Sequence, residues 1–181
     1  MSSSRPRISR PSPAIEVLLA IISDTHLPRG ARTLPAACVE RLRAADLILH
    51  AGDLVTAEVL ADLRALGPPV EAVHGNVDDA QVRRLLPSAR LVTVDGARIA
   101  MVHDGGPAAG RLGRLRRRFA DADAVVFGHS HMPLHEHDEA SGFHIFNPGS
   151  PTDRRRQPVH TMGQARVQEG ALSFELIELG P

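Results

Sequence analysis

Val17-Leu18-Leu19-Ala20-Ile21-Ile22-Ser23-Asp24-Thr25-His26 is the stretch from which the chain is best read. Six consecutive aliphatic residues are far too few to span a membrane, and they lack the polar alternation of a half-exposed strand. Such a run suits a central strand covered on both faces. It stops at Ser23, and Asp24 and His26 follow at its carboxyl end, where α/β scaffolds carry their functional groups.

The same pattern recurs downstream. A helix is predicted over 34–44, with Thr33 as its N-cap and Pro35 in the first turn. A second buried strand over 47–50 runs into Gly52-Asp53, and a helix over 56–66 is stopped by Gly67 and Pro68. A third strand over 69–74 delivers Gly75-Asn76, followed by a short helix over 79–86. The pattern then changes. Strands over 90–94 and 98–102 flank Asp95-Gly96, a strong hairpin signal, and lead to His103. A basic helix over 112–120 precedes a strand over 124–127 that ends in Gly128-His129-Ser130-His131. Two more hairpins turn at Ser141-Gly142 and Glu169-Gly170. Helix-linked strands followed by hairpins predict a mixed α/β fold: two stacked mixed sheets with helices outside.

Composition sets limits on function. The chain has 181 residues, enough for one core, expected over 15–181. The Ser-, Pro- and Arg-rich segment 1–14 reads as a disordered tail. Arginine supplies all 21 positive charges, and 21 acidic residues balance them, so no global field favours nucleic acid or an anionic membrane. Five Phe, with no Trp or Tyr, leave few platforms for stacking bases. Arg114 and Arg116 to Arg118 read as a solvated helix face, and so do Arg154 to Arg156, the stronger of the two as a phosphate contact. Nucleic acid is therefore not a favoured partner. Cys38 is alone, which excludes an intrachain disulfide and fits a reducing cytoplasm. No apolar run approaches membrane-spanning length, and self-association is left open.

The polar residues at the strand ends form a metal-binding set. Two divalent ions about 3.5 to 4 Å apart need a bridging anion, with oxygen and imidazole donors on each side. Asp53 is the natural bridge. Asp24 and His26 are two residues apart, as are His129 and His131, so in extended chain each pair points to one side. A set of Asp, Asn and His without thiolates suits manganese, iron, zinc, nickel or cobalt better than copper(I), magnesium or calcium. His135, His137 and His144 are read as alternating hairpin residues outside this set.

In their order, Asp24-Thr25-His26, Gly52-Asp53, Gly75-Asn76-Val77-Asp78, His103, Gly128-His129-Ser130-His131 and Asn147-Pro148-Gly149-Ser150 resemble the calcineurin-like metallophosphoesterase superfamily, and within it the small YfcE-like phosphodiesterases. The resemblance covers 15–179 and implies a four-layer αββα sandwich. It implies one ion on Asp24, His26, Asp53 and His131, and a second on Asp53, Asn76, His103 and His129, with manganese the first choice. It further implies hydrolysis of a phosphodiester by a metal-bridging hydroxide, with Asp24, Asp53, Asn76 and His103 as catalytic residues. A phosphomonoesterase, or a non-catalytic metal-binding scaffold like the retromer subunit of this fold, is the alternative.

The chain also departs from that family pattern. Many relatives follow Gly-Asn with a His that contacts phosphate or protonates the leaving group, and here Val77 stands in its place. Because general acid catalysis is worth about 10² to 10⁴-fold, its loss predicts a preference for good leaving groups or a substitute acid. His50 and His74 lie close in sequence but read as hydrogen-bonded histidines near strand ends. His103 is followed by Asp104 rather than by Gly and a further His. Asp78 and Asp104 are each read equally as an outer partner of a ligand or as a loop carboxylate.

Overall fold

The structure is a computed structural model in which residues 16–181 are described; the tail expected over 1–14 lies outside them. Among the described residues ten strands form two five-stranded sheets. In the first, β1 (Val17–Ile22), β2 (Leu47–His50) and β3 (Val70–Ala72) run parallel. The antiparallel hairpin of β9 (His160–Gln168) and β10 (Ala171–Gly180) extends the β1 side, giving the order β10-β9-β1-β2-β3. The second sheet has the order β4-β5-β6-β8-β7. Its centre is three parallel strands, β5 (Ala97–Val102), β6 (Ala124–Val126) and β8 (Phe143–Asn147). Its edges are β4 (Ala89–Val94) and β7 (Leu134–Asp138), both antiparallel.

Strand alternation builds the layers. Leu19 and Ile21 of β1 face one way and meet Ile99 and Met101 of β5, Val126 of β6 and Phe146 of β8, which makes the core between the sheets. Ala20 and Ile22 face the other way, onto α1 (Ala36–Ala44), α2 (Ala57–Arg64) and α3 (Ala80–Leu85) through Cys38, Leu42, Leu60, Leu63 and Val82. On the far side, Ala100, Val125 and Ile145 pack against Leu115 of α4 (Arg111–Arg118). Three buried clusters separated by two sheets make the expected αββα sandwich. Each fully buried Leu, Ile or Phe contributes about 1.5 to 3 kcal/mol relative to its exposed state.

Several element bounds differ by a residue or two from the sequence reading, and for two of them the cause is visible. Helix α1 starts two residues later than predicted, and the carbonyl of Pro35, not the Thr33 side chain, accepts the first amide bonds, from Cys38 and Val39. Strand β3 ends at Ala72 because the chain then turns away: the Val73 amide still reaches His50, but that of His74 bonds Pro87. Asp79 caps α3, its Oδ1 accepting from the Gln81 and Val82 amides at 2.8 Å.

This topology places five strand ends at one place. Strands β1, β2 and β3 are parallel, as are β5 and β6, so the loops carrying Asp24, Asp53, Asn76, His103 and His129 leave the same edge of the sandwich. The two sheets are joined there. Across the sheets the His129 amide donates to the Asp24 carboxylate at 3.0 Å, while within them the Gly128 amide donates to the His103 carbonyl and that of Asp24 to Gly52.

Candidate metal centre

All seven residues singled out by the sequence reading meet at this edge. The donor atoms of Asp24, His26 and His131 lie within 4.8 Å of one another, as do those of Asp24, Asp53 and His103. Asp53 Oδ2 is 3.5 Å from His26 Nε2 and 3.3 Å from His103 Nε2, so one carboxylate touches both groups. Asp24 Oδ1 is 3.4 Å from His131 Nε2. Asn76 Oδ1 lies 3.1 Å from His103 Nε2 and 2.9 Å from His129 Nδ1.

The backbone that gathers them is not extended. Asp24, His26, Asp53, His129 and His131 all have positive φ, between 47° and 68°. Left-handed backbone at a non-glycine residue costs on the order of 1 to 3 kcal/mol and persists only where surrounding contacts impose it. The expectation that Asp24 and His26, or His129 and His131, share a side through strand alternation is thus corrected: tight left-handed turns converge them.

Backbone carbonyls fix the imidazoles. His103 Nδ1 donates to the Ala51 carbonyl at 2.8 Å, and His131 Nδ1 donates to that of Asp153. A carbonyl can only accept, so in each ring Nδ1 carries the proton, and whenever the ring is neutral its Nε2 presents a lone pair to the centre. The Nε2 atoms of His26 and His131 are buried with no hydrogen-bond partner among the described residues. Near Asp53, the lone pairs of His103 Nε2, Asp53 Oδ2 and Asn76 Oδ1 converge and repel unless a proton or cation lies between them.

The electrostatics agree with this arrangement. Burial holds His26 and His131 below the ordinary histidine pKa, which keeps them neutral. For His103 burial also opposes the charged form, but the bond to Asp53 and the charges of Asp24 and Asp53 outweigh it and raise the pKa. Burial pushes Asp24 up to about 6. For Asp53 burial works in the same direction, yet the bond and charge of His103 and the Val77 amide bring it down to about 2. Neutral rings with orphaned lone pairs and an ionised carboxylate between them form a donor set that fits divalent cations.

Residues 17–170 match the calcineurin-like phosphoesterase superfamily domain. The chain belongs to this superfamily. A probable metallophosphoesterase of Methanothermobacter thermautotrophicus is 34% identical over 166 residues, covering 91% of this chain and 94% of that protein. Among solved structures, vacuolar protein sorting 29 from Cryptosporidium parvum aligns over 92% of this chain and 99% of its own, with a TM-score of 0.73 at 22% identity. An archaeal phosphodiesterase aligns over 88% and 99%, with a TM-score of 0.66 at 19% identity. These likenesses show the fold.

Within this phosphoesterase domain the structure separates residues that sequence reading left equal. Asp78 is buried, and its carboxylate accepts from the amides of Asp53 at 3.1 Å, Val55 at 2.6 Å and Gly75 at 2.6 Å, clamping two donor loops together. Asp104 is exposed and, among the described residues, accepts only from the Gly106 amide. No spacing rule distinguishes Asp78 from its neighbour Asp79, which caps a helix. Asn147 donates to the Gly128 carbonyl and Ser130 Oγ, and Ser150 donates to the Asp24 carbonyl, so the Asn147 segment braces the loops of both sheets. His50 is fully buried and held down to about 3 by burial. Its Nδ1 accepts from Gly52 and its Nε2 bonds Thr25 Oγ1, which makes it a neutral strut.

Two glycines are steric requirements of the centre. A Cβ on Gly75 would overlap the Asp53 carboxylate, and one on Gly128 would overlap Ser23 Oγ and the Asp24 carboxylate. The basic helix is not simply solvated: Arg111 and Arg114 donate to the carbonyls of Gly105, Gly106, Pro107 and Ala109, pinning the loop after His103. Among the described residues no helix is long and apolar enough to cross a membrane.

Proposed function

We propose that the chain is a phosphodiesterase dependent on two divalent cations. One would be held by Asp24, His26, Asp53 and His131, the other by Asp53, Asn76, His103 and His129. The observation that carries this reading is the Asp53 carboxylate set between His26 and His103, beside the orphaned Nε2 atoms of His26 and His131. Manganese is the proposed metal, and a set of carboxylates, one amide oxygen and several imidazoles without thiolate suits iron, zinc, nickel or cobalt as well. The chemistry such cations supply when bound is neutralisation of phosphate oxygens and acidification of water toward a pKa of about 7.

The chain's own residues do the rest. Asp24 and Asp53 orient the attacking water opposite the leaving group. Asn76, exposed at the mouth of the centre, and His103 beside it hold the phosphate side. Val77 donates its amide to Asp53 Oδ1 at 3.0 Å and presents a side chain without a proton to give. Departure of the leaving group therefore depends on its own acidity, which suits diesters with good leaving groups.

Hydrolysis tests this after removal and return of metal. Bis(p-nitrophenyl) phosphate is expected to be cleaved only when divalent cation is restored, and faster than p-nitrophenyl phosphate. Equal rates with and without chelator would overturn metal dependence, and faster monoester cleavage would overturn diester preference.

A further inference from the structure

A pocket of about 430 Å³ opens beside the centre and is lined by Asn76, His103, His129, Arg83 and Arg118. Its volume is in the range of pockets that hold small ligands. Arg83 is set in place from behind: its Nε donates to the Asp78 carbonyl at 2.9 Å and its Nη2 to that of Asn76 at 2.7 Å. Its other N–H groups make no bond among the described residues. Arg118, at the last turn of α4, lies over the Phe119 ring at 5.0 Å. Among the described residues neither guanidinium is in an ion pair, and the same holds for Arg154 to Arg156, since only Arg32, Arg90, Arg98 and Arg166 pair. Asp104 is the one carboxylate lining the pocket.

Two unneutralised guanidiniums beside a site proposed to hold two divalent cations are electrostatically unfavourable unless the ligand supplies the missing negative charge. A diester has one negative charge at the reacting phosphorus, which leaves both arginines unmatched. We propose that this pocket binds a second phosphate of the substrate, held by Arg83 and Arg118, so that the substrate class is a phosphodiester bearing a further phosphate. This rests on the phosphodiesterase reading above.

The competing location is the pocket of about 420 Å³ lined by His131 and Arg154 to Arg156. It is less suited. Of the seven donor residues it touches only His131, which is buried, whereas exposed Asn76 and His129 open onto the Arg83 pocket.

The test is calorimetric titration of the full, manganese-loaded chain with a nucleoside monophosphate and with the corresponding bisphosphate. Wild type is expected to bind the bisphosphate at least about tenfold more tightly, as charge-assisted bonds to a second phosphate require. Arg83→Gln and Arg118→Gln should each reduce that ratio to within about threefold, while Arg156→Gln preserves it. Arg118→Gln, at an exposed helix end, decides the matter if Arg83→Gln unfolds on losing its carbonyl bonds. Equal affinities in wild type, or a ratio lost in Arg156→Gln and kept in Arg118→Gln, would overturn the proposal. Tight bisphosphate binding in a chain that cleaves no ester would support the pocket and overturn the phosphodiesterase reading instead.

Discussion

Two groups of histidines in this molecule are clustered to a similar degree and differ in what their ring nitrogens face. At the sheet edge, His26 and His131 are tilted at 38° with centroids 5.0 Å apart, and His103 and His129 meet edge to face at 85° and 5.2 Å. Ring nitrogens of His26, His103 and His131 face carboxylates there, that of His129 faces the Asn76 amide oxygen, and carbonyls hold Nδ1 of His103 and His131. On the β7–β8 hairpin, His137 and His144 lie nearly flat together at 13° and 4.2 Å, and His135 bonds His144 ring to ring at 3.0 Å. His144 and His135 rest on Phe174, and among the described residues no carboxylate forms an ion pair with the hairpin rings. Imidazole count alone does not make a metal centre. What makes one is the anchoring of one nitrogen and an anion facing the other.

Removing the anion should give the largest effect. Asp53→Asn is expected to lower hydrolysis of bis(p-nitrophenyl) phosphate by more than about a thousandfold, since cation chemistry is worth several kcal/mol at the transition state. Steady-state rates, with folding checked by circular dichroism, measure this. Turnover within tenfold of wild type would show that the carboxylate is not what separates the two histidine groups.

Next is the approach of the loops. Gly75→Ala introduces a methyl group into the Asp53 carboxylate, and because backbone would have to move, metal affinity should fall by about a hundredfold, the upper range for changes just outside a metal's ligands. Asp78→Ala leaves three amides of the donor loops without their acceptor. It should destabilise the chain by about 2 to 5 kcal/mol in denaturant unfolding and weaken metal about tenfold. Unchanged affinity in both variants would mean that the donors are positioned without this framework.

How much of this was legible in the sequence follows from the same contrast. The aliphatic runs that end at Ile22, His50 and Val102 carry the strand assignments, and their order places Asp24, Asp53 and His103 at one edge. The hairpin turns at Asp95-Gly96 and Glu169-Gly170 are local chemistry and were readable as such. The left-handed backbone of Asp24 and His26 was not, because it is imposed by contacts with loops from distant parts of the chain. Asp78 was no more visible: its three partners are amides, and amides have no signature in a sequence. The early end of β3 depends on a bond to Pro87 in a segment with no strand of its own, which local propensity cannot anticipate.

The smallest effects belong to the hairpin. Replacing His135 and His144 together with Gln should leave metal content and hydrolysis within twofold of wild type. Acid should still register there. Burial and the neighbouring rings hold His144 down to about 4, below its value of 6.5 in an unfolded chain. Between those values the unfolded state binds more protons, so this stability is present above about 6.5 and is lost as the pH falls toward about 4. Because the ring is partly exposed the slope is shallow. Unfolding curves of the metal-free protein should show it reduced in His144→Gln, and an unchanged slope would place the proton uptake elsewhere.

Metal content per chain tests the central claim most directly. After chelation and reloading with manganese, the account predicts two equivalents bound to wild type and loss of both in Asp53→Asn, because the proposed bridge serves both ions. One equivalent in wild type, or two retained by Asp53→Asn, would contradict it.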